Sequence, residues 1–132
     1  MPTKPSRSPI RVLVVDDEPK IVELIKQTLE AHAYDVVTAS SGEEALRQAC
    51  SQPLDVILLD VVMPVMDGFE VLARLQANRD TSRIPVVMVT AKSDTRSIFK
   101  SKDLWAVDYL MKPFNVDALL ETVKRCTTRP LQ

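Results

Sequence analysis

Apolar positions follow two alternating rhythms along this chain. IRVLVV (10–15) and LDVILLD (54–60) are nearly continuous apolar runs, the pattern of strands covered on both faces. YDVVTA (34–39) is more amphipathic and reads as a further strand, and IPVVMVTA (84–91) and VDYLM (107–111) complete five. Helical spacing fills the intervals. Pro19 opens a helix over 19–31, in which Ile21, Leu24, Ile25, Thr28 and Leu29 recur on one side. Ser41 with Glu44 predicts a capping box at the head of a second helix in SSGEEALRQA. MDGFEVLARLQA (66–77) is a third helix, and SDTRSIFKSKDL (93–104) a weaker fourth. Asn115 caps a fifth, where Val116, Leu119, Leu120 and Val123 keep helical spacing. Five strands alternating with five helices predict an α/β fold, a (βα)5 doubly wound parallel sheet with right-handed crossovers.

Composition narrows the picture. The 132 residues suit one compact domain, read as 10–126, after a Pro/Ser-rich disordered leader (1–9) and before a short tail (127–132). The leader lacks the apolar core of a secretory signal, and no apolar run approaches the ~18 residues that span a bilayer. A net charge of −1 gives no global basic field for nucleic acid or anionic membrane. Cys50 and Cys126 read as reduced thiols of a cytoplasmic protein rather than a disulfide or metal pair. The single histidine, His32, argues against a histidine-based zinc site and reads as a surface residue.

The candidate chemistry lies at the strand ends. In an open parallel sheet, ligands bind beyond the C-terminal strand edge. The first strand ends on Asp16-Asp17, the third on Asp60 and the fourth on Thr90-Ala91, and Lys112-Pro113 follows the fifth. Two like charges 4 Å apart cost about 4 kcal/mol at an effective dielectric of 20. Clustered carboxylates therefore hold a proton or a cation, and carboxylates with water suit Mg²⁺. Such a cation would neutralise an incoming phosphoryl group. Lys112 and Thr90 would take phosphoryl oxygens, and one carboxylate would act as nucleophile. Each residue also has a plainer role. Asp16 and Asp17 could cap the first helix, Asp60 could end a strand before the turn at Pro64, Thr90 could be an ordinary strand end, and Lys112 a solvated lysine. Asp67-Gly68 reads as turn and helix-cap chemistry. Glu18 reads as a first-turn residue facing the dipole of the first helix.

VLVVDDEP, DVILLDVVMPVMDGFEVL, IPVVMVTA and DYLMKPF together resemble the CheY-like response-regulator receiver domain of two-component signalling, over residues 10–126. The resemblance implies a flavodoxin-like fold with strand order 2-1-3-4-5. It makes Asp60 the phosphoacceptor. Asp16, Asp17, Asp60 and the backbone carbonyl of Val62 become Mg²⁺ ligands, with Asp17 direct and Asp16 through water. Thr90, Ala91 and Lys112 become phosphate contacts, Thr90 and Tyr109 the switch pair, and Lys112-Pro113 a cis peptide. The partners implied are a sensor histidine kinase or phosphotransfer protein upstream, and a protein reading the face of the fourth helix, fifth strand and fifth helix downstream. Direct nucleic-acid or membrane binding is not implied, and the oligomeric state is a monomer or a phosphorylation-linked dimer. The resemblance also implies a domain that catalyses its own phosphorylation and slow dephosphorylation rather than a turnover enzyme.

Trp105 stands where the family commonly has glycine, and reads either as local core or as a partner anchor. Lys92, Arg96, Lys100 and Lys102 make one side of the fourth helix basic, a solvated face or a docking surface for an acidic partner. Val62, two residues after Asp60, cannot orient an attacking water, which predicts slow loss of the phosphoryl group. Three other functions fit the sequence less well. A flavodoxin-like cofactor binder would need a phosphate-cradling loop where DDEP stands. An aspartyl phosphohydrolase would place its nucleophile at the end of the first strand, with a second acid two residues on and a cap insertion. A phosphorylation-independent interaction module would not need the full acidic set.

Overall fold

The computed structural model describes residues 9–91 and 108–127. Five strands run parallel: β1 (Arg11–Val15), β2 (Asp35–Ala39), β3 (Val56–Asp60), β4 (Val86–Ala91) and β5 (Asp108–Lys112). They stand in the order β2-β1-β3-β4-β5, as expected. Four helices are described: α1 (Pro19–Glu30), α2 (Gly42–Ser51), α3 (Gly68–Ala77) and α4 (Val116–Thr127). The predicted helix 93–104, with Trp105 and the basic residues around it, lies outside the described residues, as do positions 1–8 and 128–132. Among the described residues, no helix is long and apolar enough to cross a membrane.

Strand composition follows position in the sheet. β3 is central and buried at all five positions, which its unbroken apolar run requires. The edge strand β2 is half-buried over most of its length, matching its mixed pattern. Alternate side chains divide the core in two. Leu13, Val15, Ile57, Leu59 and Met88 join Phe69, Leu72 and Leu75 of α3 and Ala45 of α2 on one face. Val12, Val14, Leu58 and Val89 join Ile25 and Leu29 of α1 and Leu119 and Val123 of α4 on the other. Each such leucine or isoleucine contributes about 1.5–3 kcal/mol by leaving water.

Several boundaries differ from the expectation. β3 begins at Val56 rather than at 54 because the Asp55 carboxylate accepts from the Arg11 backbone N–H at 2.8 Å. α3 begins at Gly68 rather than at 66. Asp67 takes the N-cap and accepts from the Glu70 N–H at 3.0 Å, while Met66 stays in the preceding loop. Ser41 caps α2 as expected, but the Glu44 carboxylate reaches back to Ser40 rather than to Ser41, so the reciprocal half of the box is displaced by one residue. Glu18 is the N-cap residue of α1, outside its first turn, and makes no side-chain cap bond. Asn115 accepts from the Ala118 N–H at 2.7 Å at the head of α4. His32 is exposed, and its Nδ1 lies 2.9 Å from the Thr28 carbonyl oxygen. Cys50 is exposed, Cys126 is buried, and they form no disulfide.

Candidate functional site

Parallel pairing brings the C-terminal ends of β1, β3 and β5 to one edge of the sheet, and the chemistry follows the strands. Asp16 directly follows β1 and keeps the ladder going through its N–H, which donates to the Ala39 carbonyl at 3.2 Å. Asp60 is the last residue of β3. Both are buried, at 4% and 6% exposure, whereas Asp17 is exposed. One carboxylate oxygen from each of Asp16, Asp17 and Asp60 lies within 4.8 Å of the others. Lys112, at the end of β5, reaches into this group. Its Nζ donates to Asp60 Oδ1 at 3.1 Å and to Asp16 Oδ2 at 3.4 Å. The Lys112-Pro113 peptide is cis.

The two plainer roles for these residues resolve differently. Lys112 is not a solvated lysine, since it sits between two buried carboxylates. Asp16 does assist the start of α1, because its Oδ1 accepts from the Glu18 N–H at 2.9 Å, but its other oxygen faces Lys112. Asp17 takes no hydrogen bond among the described residues and keeps its carboxylate open at the rim.

Electrostatics reflect three acids that share one base among the described residues. Burial, then the neighbouring Asp16, push the Asp60 carboxyl up to about 6; Lys112 pulls it back in part, and Asp17 adds to the rise. For Lys112, burial works against the charged form, but the Asp60 and Asp16 carboxylates outweigh it and hold the ammonium above its ordinary value. Among the described residues a single lysine faces the three acids, which leaves them with excess negative charge. The donors are all carboxylate oxygens, with no histidine or cysteine among them. That set fits a hard, oxygen-seeking cation and is poorly suited to zinc or copper.

Among the described residues, the other expected positions make no hydrogen bond to the cluster. Thr90 is buried, and among the described residues its hydroxyl donates only to the Ala91 carbonyl, at 3.4 Å. Thr90 follows Met88 on the face covered by α2 and α3, whereas Asp60 follows Leu58 and Lys112 follows Leu110 on the face of α1 and α4. Tyr109 is half-buried and packs on the same layer as Met88. Ala91 is exposed and stands in register with Lys112. The Val62 side chain is exposed, and among the described residues no backbone N–H donates to its carbonyl.

Val65 in the loop after β3 and Gly68 at the head of α3 carry features that no sequence pattern signals. A Cβ at Gly68 would stand 2.4 Å from the Asp60 carbonyl oxygen, so the start of α3 touches the backbone of the site's central carboxylate. Its only signal was the Asp67-Gly68 pair, read as a turn and cap. Val65 has φ 71°, for which the sequence carries no glycine or asparagine signal.

Comparison with known proteins agrees with this geometry. The response regulator receiver domain profile matches residues 12–124. The alkaline phosphatase synthesis transcriptional regulatory protein PhoP of Bacillus subtilis is 42% identical over 118 residues, covering 87% of this chain and 48% of that protein. The chain thus spans about half the length of the curated relatives it matches. Among solved structures, the chemotaxis protein CheY4 of Vibrio cholerae superposes with TM-score 0.85 at 36% identity, over 90% of this chain and 99% of that one. The signal receiver domain of a histidine kinase from Syntrophus aciditrophicus gives 0.84 at 32% identity, over 93% and 96%. Five parallel strands in this order, an acidic trio facing one lysine and a family match over most of its length make the chain a member of the response regulator receiver domain family of two-component signalling.

Proposed function

We propose that this chain receives a phosphoryl group on Asp60 from a histidine kinase or phosphotransfer protein, and passes the signal on through a change of surface. The observation that carries this reading is the placement of Lys112, whose ammonium bridges Asp60 and Asp16 beside an open Asp17. Asp16, Asp17, Asp60 and the Val62 carbonyl are the groups that would hold Mg²⁺. When bound, the cation supplies positive charge against the acids and the phosphoryl oxygens. Asp17, exposed and with no hydrogen bond among the described residues, suits direct coordination. Asp16, with both oxygens already hydrogen-bonded, suits coordination through water.

Asp60 is the nucleophile. A carboxylate oxygen forms the new bond to phosphorus as the bond from phosphorus to the donor imidazole nitrogen breaks, and the imidazole leaves. Lys112 exchanges its contact with Asp60 for one with a phosphoryl oxygen. The Thr90 hydroxyl and the Ala91 backbone take the others. Catalysis is therefore positioning and charge compensation, not turnover. Thr90 must leave its bond to Ala91 to reach the phosphoryl group, and Tyr109, on the same sheet face, follows it. This pair biases the face of β5 and α4 that a downstream protein reads. The receiver unit spans residues 10–126, and its setting is cytoplasmic. That some relatives are transcriptional regulators belongs to those longer proteins.

Intact mass after incubation with Mg²⁺ and acetyl phosphate or phosphoramidate tests the reading. One added phosphoryl group is expected, absent in Asp60→Asn and in EDTA. No addition with either donor would leave the phosphorylation-independent module as the function. The apolar Val62 side chain gives a long-lived adduct, and Val62→Asn is expected to hasten its hydrolysis. Equal decay in both proteins removes that role from Val62.

A further inference from the structure

The loop from β3 to α3 is held at both ends and strained in the middle. The Val61 N–H donates to Val89 at 3.0 Å, and the Val61 carbonyl accepts from Gly68 at 2.8 Å. Met63 and Met66 are buried in the core. Between them the Pro64 carbonyl accepts from the Met66 N–H at 2.7 Å, closing a three-residue γ-turn around Val65 at φ 71°. A γ-turn with a positive-φ centre is rare and strained, and a β-branched residue is poorly suited to that region. The Val65 side chain is fully exposed, at 105%, so packing does not offset the strain. These anchors flank Val62, whose carbonyl no described backbone N–H engages.

We propose that Val65 is a positioning residue that loads this loop. Its strained turn opposes the loop form that offers the Val62 carbonyl to the acidic cluster, and so weakens the cation site. The proposal rests on the reading that Asp16, Asp17, Asp60 and that carbonyl hold a divalent cation. A ligand that binds only a fractionally populated form has its apparent dissociation constant raised by that fraction. Relief of the strain raises the fraction and tightens binding. Asparagine is the informative replacement, because it tolerates the left-handed region without glycine's added freedom in the unfolded chain. Isoleucine keeps the strain.

The experiment uses the full chain, with thermal unfolding in EDTA and Mg²⁺ titration followed by backbone amide shifts. Val65→Asn and Val65→Gly are expected to raise the unfolding midpoint and lower the Mg²⁺ dissociation constant by about two-fold or more, with Val65→Ile like the parent. A raised midpoint with unchanged Mg²⁺ affinity overturns the proposal, since the strain would not be coupled to the site. An unchanged midpoint in Val65→Asn overturns it as well, since there would be no strain to relieve. Failure of the parent chain itself to bind Mg²⁺ is a separate result, and overturns the underlying reading of the site.

Discussion

Gly68 fixes the place of Asp60 by having no side chain. An added Cβ would meet the Asp60 carbonyl oxygen at 2.4 Å and the Val61 Cα at 2.9 Å. Both are backbone atoms in or next to a fully buried strand, so neither yields cheaply. Gly68→Ala must push α3 away from β3 or shift Asp60 against Lys112, at a cost of about 1–3 kcal/mol as overpacking. The expected outcome is a lower unfolding midpoint together with slower phosphorylation by acetyl phosphate in Mg²⁺. A rate equal to the parent's, at a temperature where both are folded, would show that Asp60 had not moved. Asp16, Asp60 and Lys112 were legible in the sequence because each stands at the end of an apolar run, and a parallel sheet sends those ends to one edge. Gly68 was legible only as turn chemistry. Its contact with Asp60 depends on the loop closing on itself, which no local pattern encodes. Thr90 was legible as a strand end, but the bond of its hydroxyl to the Ala91 carbonyl was not.

Elements show the same division between pattern and boundary. Periodicity located every described helix and strand, while side-chain hydrogen bonds at Asp55 and Asp67 decided where β3 and α3 begin. The end of α1 adds a case that periodicity does not reach. The Tyr34 N–H donates to Leu29 at 3.1 Å and the Ala33 N–H to Glu30 at 3.2 Å, the paired bonds of a Schellman motif. Ala33 occupies its left-handed position at φ 71°, where glycine is usual. Leu29 and Tyr34 then meet in the core layer under α1, which supplies the apolar contact that accompanies the motif. Steric relief at Ala33 exceeds the entropy a glycine adds to the unfolded chain. Ala33→Gly is therefore expected to stabilise the protein by about 0.5–1 kcal/mol, read as a higher denaturant midpoint with unchanged slope. A lower midpoint would mean that this turn carries no strain. The change lies at the opposite end of the sheet from Asp60, so phosphorylation should be unaffected.

At the scale of the whole molecule, the acidic cluster ties folding to protons and to metal. The Asp60 carboxyl has an ordinary value near 3.8 and is held at about 6 in the folded chain, first by burial and next by Asp16. Between those values the folded state binds more protons than the unfolded state. Stability from this group therefore falls as pH rises, because the slope follows protons bound unfolded minus protons bound folded. The contribution is fully present below about 4 and lost above about 6. Lys112 has the opposite location on the scale. Its ammonium is raised by Asp60 and Asp16, so its contribution is complete at neutral pH and lost only in strong alkali. Comparison with Asp60→Asn isolates the acid from the other carboxylates of the chain. In EDTA the stability of Asp60→Asn relative to the parent should climb from about pH 4 to about pH 6 and then level off. With Mg²⁺ the climb should shrink, because a cation bound to ionised Asp60 stabilises the folded parent by mass action. Thermal unfolding of both proteins across this range, with and without Mg²⁺, measures it. A difference independent of pH would mean that Asp60 ionises in the folded chain as it does in water. A difference that varies with pH but ignores Mg²⁺ would keep the buried acid and remove the cation from the site.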